Sequence, residues 1–168
     1  MCCNKLYDIE KIPVVTVDLL KSVETVCLTG GEPFGIDADL FESFCKRLRY
    51  QFPNIRNLYI YTSGYEIGER TAVAQRLTNK NRKLVNGINI APKDFKDWVG
   101  FQKVLNAYPS VFDERSSNRL YIFKEMRPVF DSMGLDLSRT SIQVIDRQWE
   151  KSFNTPDNEH FARLPILF

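Results

Sequence analysis

What most narrows the fold of this chain is a repeated change of hydrophobic period, from short β-rich runs to stretches spaced in threes and fours. Five strand-like runs stand out, Glu24 to Thr29, Leu58 to Thr62, Val85 to Ala91, Arg119 to Phe123 and Ser141 to Ile145, each rich in Val, Ile, Leu, Tyr or Phe. Between the third and fourth, Phe95, Trp98, Phe101, Leu105 and Tyr108 paint one face of a helix. Met126, Val129, Phe130 and Met133 repeat that pattern, and Gly134 follows as a cap. Ahead of the first strand, Val17, Leu19, Leu20 and Val23 predict a helix opened by Thr16 or Asp18. Strand starts roughly 22 to 34 residues apart predict right-handed βαβ units and a parallel sheet. The expected fold is α/β: about five parallel strands with helices outside, in one domain over residues 1–168. Five strands are too few for an eight-stranded barrel, which leaves an open or partial (β/α) barrel, or a doubly wound layer. Residues 147–168, polar and then apolar, read either as a cover for the barrel bottom or as a C-terminal extension.

Such a fold needs a sizeable core, and 168 residues that are 43% hydrophobic and 12% aromatic supply one. Lys and Arg number 23 against 21 Asp and Glu, so there is no electrostatic footprint of a dedicated nucleic-acid binder. No apolar run approaches the roughly 18 to 20 residues of a membrane helix, and the N-terminus lacks a signal-peptide profile. The reading is of a soluble, cytoplasmic protein. Cys2, Cys3, Cys27 and Cys45 read as reduced thiols rather than a disulfide framework, because two are adjacent. Cys45 lies among Leu40, Phe41, Phe44 and Leu48 and is expected to be a small buried hydrophobe; Cys27, between Val26 and Leu28, is expected to be another. Tyr59, Tyr61, Tyr121 and Phe123 alternate as a stacking platform could, but in strands covered by helices they are expected to face core and helix layer. His160, the single histidine, reads as a surface or packing residue, which excludes a multi-histidine metal site.

In either sheet architecture the loops that converge lie at the carboxyl edge of the strands. The first strand runs into Thr29-Gly30-Gly31-Glu32-Pro33-Phe34. Two glycines let backbone approach a ligand, Glu32 supplies a carboxylate and Pro33 fixes the turn, a set that suits a ligand ammonium. The alternative is a tight turn with a solvated Glu32. A phosphate loop is excluded, since no Gly-x-x-x-x-Gly-Lys-Ser/Thr is present and a carboxylate would repel phosphate. The second strand ends in Thr62-Ser63-Gly64, ordinary turn chemistry taken alone. The third ends in Ala91-Pro92-Lys93, where Lys93 reads as a surface lysine or as a partner for a ligand carboxylate. Lys124-Glu125 and Asp146-Arg147 close the fourth and fifth. Together these edges offer the complements of an amino-acid-like ligand.

The stretch from Val26 to Gly64, CLTGGEPF followed by an amphipathic helix and LYIYTSG, resembles the core of radical S-adenosylmethionine (radical SAM) enzymes. That family folds as a partial (β/α)6 barrel and carries a Gly-Gly-Glu-Pro motif on its second strand. The resemblance implies that Gly30, Gly31 and Glu32, followed by Pro33, bind the methionine ammonium of SAM. By the same resemblance Ser63 sits near the methionine or ribose moiety, and Lys93 faces the SAM carboxylate or the substrate. It further implies a [4Fe-4S] cluster, an external electron donor, and a 5′-deoxyadenosyl radical as the oxidising species. Peptides, nucleosides and glycyl-radical enzymes are all open as substrates.

One departure is large. The family holds its cluster by Cys-x3-Cys-x2-Cys after the first strand, and no such motif occurs here. Cys2 and Cys3 stand about 27 residues before Gly30, where the third of those cysteines is expected, so one of the pair is the expected metal ligand. A chain that begins late accounts for both the missing strand and the missing cysteines, and on that reading it is inactive alone. The competing expectation is a degenerate barrel without a cluster, acting as a ligand-binding or protein-interaction module.

Overall fold

Residues 9–78, 84–113, 116–148 and 157–164 are described by the computed structural model. Five strands form one sheet: β1 (Thr25–Leu28), β2 (Asn57–Thr62), β3 (Gly87–Ile90), β4 (Arg119–Phe123) and β5 (Gln143–Arg147). Every neighbouring pair is parallel and the spatial order is the chain order. A doubly wound layer reverses direction at a switch point; this sheet does not, which removes that alternative. Because crossovers share one hand, a sheet built in sequential order collects its helices on a single face.

Burial follows from that arrangement. Leu28, Leu58, Ile60, Ile88, Ile90, Leu120 and Ile122 occupy alternate positions on one face and are buried. They pack in one core with Phe41, Cys45 and Leu48 of α2 (Ala38–Gln51) and Trp98, Phe101 and Val104 of α5 (Phe95–Ala107). The opposite face carries Cys27, Tyr59, Tyr61, Asn89 and Arg119, in register across the strands. Cys27 is therefore exposed, contrary to its expected burial, because strand alternation turns its thiol away from the helices. Tyr59, Tyr61, Tyr121 and Phe123 likewise lie on the face away from the aliphatic core, contrary to their expected packing against the helix layer.

Helix starts follow their caps. Thr16 opens α1 (Val17–Ser22) by accepting from the Leu19 amide at 3.1 Å. Asp37 opens α2 by accepting from Asp39 and Leu40 amides at 3.0 and 3.1 Å. Gly134, left-handed at φ 56°, ends α6 (Arg127–Met133) as expected. Between β2 and β3 the chain makes two short helices, α3 (Tyr65–Glu69) and α4 (Thr71–Thr78), which are not among the expected helices.

Strand entries are fixed by asparagines. Asn86 Oδ1 accepts from the Leu58 amide at 2.9 Å, and Asn118 Oδ1 accepts from the Ile88 amide at 2.9 Å, so each side chain supplies a bond the ladder lacks at its start. Those anchors shift the expected bounds: β3 begins at Gly87, after Asn86, rather than at Val85. β5 begins at Gln143 rather than Ser141, since the Ser141 amide donates to the Phe112 carbonyl at 2.8 Å and its hydroxyl lies 2.7 Å from the Asp113 carbonyl. Asp146 and Arg147 thus belong to β5 itself and not to the loop beyond it.

Where β2 leaves the sheet, α3 crosses α5 at backbone contact. A Cβ on Gly100 would lie 2.6 Å from the Gly64 carbonyl oxygen and 2.6 Å from Tyr65 Cα, and one on Gly68 would collide with the Gly100 carbonyl. Only glycine allows this approach. Gly100→Ala is expected to destabilise the fold by about 2 to 3 kcal/mol through overpacking, read as a lower urea midpoint with an unchanged m-value.

Candidate ammonium-binding site at the carboxyl edge

The first loop is shaped by its glycines. Gly30 has φ 81° and Gly31 φ 153°, and a Cβ added at either meets nothing within 4 Å. The space beside them is therefore open, and backbone conformation rather than crowding requires glycine. Pro33 then starts a 3-10 turn over Pro33–Gly35. Phe34 in that turn is fully buried and meets Phe41 edge-on at 6.0 Å, pinning the loop to α2.

Pinned this way, Glu32 is aimed at the end of β2. Its Oε2 accepts the Ser63 amide at 2.9 Å, while its Oε1 is buried and has no hydrogen-bond partner. Ser63 Oγ donates to Asp97 Oδ1 at 2.7 Å, and Asp97 Oδ2 accepts the Lys93 amide at 2.9 Å. Asp97 is itself held by α5, whose cap Asp94 accepts the Asp97 amide at 3.0 Å. The Ala91 amide donates to the Thr62 carbonyl at 2.9 Å, so the loops after β1, β2 and β3 are linked by hydrogen bonds from Glu32 through Ser63 to Asp97 and Lys93.

Of the residues expected at the edge, Glu32, Ser63 and Lys93 are joined in this network, with Gly30 and Gly31 as its open side and Pro33 as its buried hinge. Lys93 enters through its backbone, leaving its half-buried side chain for another role. Asp97 is absent from the residues expected at the edge, because the periodicity of α5 marks only its apolar stripe. Its signal is Asp94-x-x-Asp97, an acidic cap and a second acid one turn on. Lys124 and Glu125 are exposed in a 3-10 turn, and Asp146 pairs with Arg127 at 3.0 Å on the surface; neither belongs to the site.

Comparison with known proteins adds no family assignment: no protein-family model matches the chain, and no curated protein matches it. The chemistry of the edge rests on its own atoms. A fixed carboxylate with one vacant oxygen, beside open glycine backbone and linked through Ser63 and Asp97 to a lysine loop, can receive a cationic donor and the anion attached to it.

Cys2 and Cys3, the expected metal ligands, lie outside the described residues. Among the described residues no group of three or more His, Cys, Asp and Glu is placed to hold a metal ion. Cys45 is fully buried on α2, and burial pushes its thiol up to about 12. A thiol whose folded pKa is raised stays protonated while the unfolded chain ionises. The contribution is therefore whole below the ordinary value of 9.0 and is lost as pH rises toward about 12. The loss is about 1.4 kcal/mol per pH unit in that window, and Cys45→Ala should flatten the slope of unfolding free energy against pH. At pH 8 peptide mapping should find iodoacetamide on Cys27 and none on Cys45 until denaturant is added.

Proposed function

We propose that the carboxyl edge binds the methionine moiety of SAM, as the resemblance of residues 26–64 to radical SAM enzymes implies. One observation supports this above the others: Glu32 keeps a buried, unpartnered Oε1 while its Oε2 is fixed by Ser63. A buried carboxylate oxygen left unpaired is destabilising by roughly 1 to 3 kcal/mol, and an ammonium hydrogen bond would relieve it. In this reading Glu32 takes the methionine ammonium together with carbonyls of the Gly30–Gly31 turn. The Lys93 ammonium is the counterpart of the methionine carboxylate. Ser63 has committed its proton to Asp97, so its oxygen acts toward a ligand as an acceptor, suited to a ribose hydroxyl. Asp97 contacts no ligand and orients Ser63 and the Lys93 loop.

When bound, SAM supplies an activated sulfonium, which in the resembling family is cleaved reductively to start radical chemistry. A cluster for that step takes several thiolates in one place. The two described cysteines stand apart on β1 and α2, so the role this reading gives the described residues is SAM recognition alone.

Glu32→Gln replaces one charge-assisted bond and keeps the shape of the side chain. Calorimetric titration of SAM into the metal-free chain should show binding weakened by roughly 1.5 to 3 kcal/mol in the variant. Equal affinity in both proteins would remove Glu32 from the site.

A further inference from the structure

The sheet face away from the helices holds a second unpaired group. Asn89 is 1% exposed, and neither its Oδ1 nor its Nδ2 has a hydrogen-bond partner. A buried primary amide with both functions vacant is rare, because each is destabilising unless something satisfies it. Asn86 and Asn118, the neighbouring asparagines on either side in the sequence of strands, are both spent on strand anchoring. Asn89 is spent on nothing.

Its surroundings are aromatic. Asn89 is in register with Tyr61 on one side and Arg119 on the other. From β2 and β4 the rings of Tyr61 and Tyr121 converge across β3, nearly parallel at 6° with centroids 6.2 Å apart. Arg147 lays its guanidinium 4.6 Å over the Tyr121 ring. Tyr61 precedes Ser63 by two residues, so the amide lies about 7 Å below the Glu32 network along the strand direction. The site thus combines a carboxamide, which offers one donor and one acceptor side by side, with the tyrosine pair that converges over its strand; Tyr121 already has Tyr61 and the Arg147 guanidinium against it, which leaves Tyr61 as the ring for a ligand to stack on. That pairing is complementary to the hydrogen-bonding edge of a nucleobase, which also presents donor and acceptor side by side and stacks on aromatic rings.

We propose that the sheet face away from the helices binds a nucleobase-bearing small molecule, read by the Asn89 carboxamide and stacked against Tyr61. Calling this molecule the substrate rests on the SAM-binding reading; the site itself does not.

The test uses guanosine, cytidine, uridine and adenosine as probes, titrated calorimetrically into the wild-type chain without SAM or iron, so that the two readings fail separately. At least one of guanosine, cytidine and uridine is expected to bind at roughly 1 mM or tighter. Asn89→Leu should weaken that binding at least tenfold while raising the melting temperature by about 2 to 4 °C, since the apolar side chain leaves no vacant amide. Asn89→Asp, which keeps the shape and loses the donor, should weaken it by a similar factor. Absence of binding by all four nucleosides overturns the proposal, as does undiminished binding by Asn89→Leu. A lower melting temperature for Asn89→Leu overturns it too, by showing that the amide serves the fold. Binding confined to adenosine also overturns it, because the amide then reads the adenine of SAM and not a second molecule.

Discussion

Parallel pairing in strict chain order is the constraint on which the other features of this chain depend. Each crossover must return over the same face, so the crossover helices are added to one layer and the aliphatic residues of the first four strands are drawn toward it. The second face receives no helix from these crossovers. Its residues are consequently freer of the demand for apolar packing, and most are polar or aromatic: Cys27, Tyr59, Tyr61, Asn89, Arg119 and Tyr121, with the aliphatic Ile145 beside them on β5. A doubly wound sheet of the same strands would have buried those positions under a second helix layer.

The same constraint gathers chemistry at one rim. Parallel strands all end on the same side, and hydrogen bonds between their loops then decide whether the rim is rigid. Here Asp97 makes it so, taking Ser63 with one oxygen and Lys93 with the other. Its own placement depends on α5 lying against α3 at Gly64, Gly68 and Gly100, where any side chain would force the elements apart. A packing feature of the helix layer is in this way connected to the orientation of a carboxylate on the rim.

Much of this was legible in the sequence, for identifiable reasons. Strand order and helix layer follow from the change of hydrophobic period, and the caps Thr16 and Gly134 are local signals that act locally. The turn around Glu32 was readable because two glycines and a proline leave few conformations. What escaped depends on partners distant in the chain. Asp97 looks like a helix-start acid until Ser63, 34 residues away, is brought to it. The fate of Cys27 depended on which way one strand faced, and a four-residue strand gives too short an alternation to say. Asn86, Asn89 and Asn118 are alike in sequence, and only the register of the sheet separates two anchors from one vacant amide.

The open space at Gly30 has a stereochemical meaning. A residue there must take φ 81°, yet a Cβ would touch nothing within 4 Å. Crowding therefore sets no limit on size at this position, and the barrier to an ordinary L-residue is its mirror-image preference. A D-alanine, whose favoured dihedrals have the opposite sign, would satisfy the turn while narrowing the chain's freedom before folding. At this exposed position of the candidate site the selection is for chirality rather than for volume.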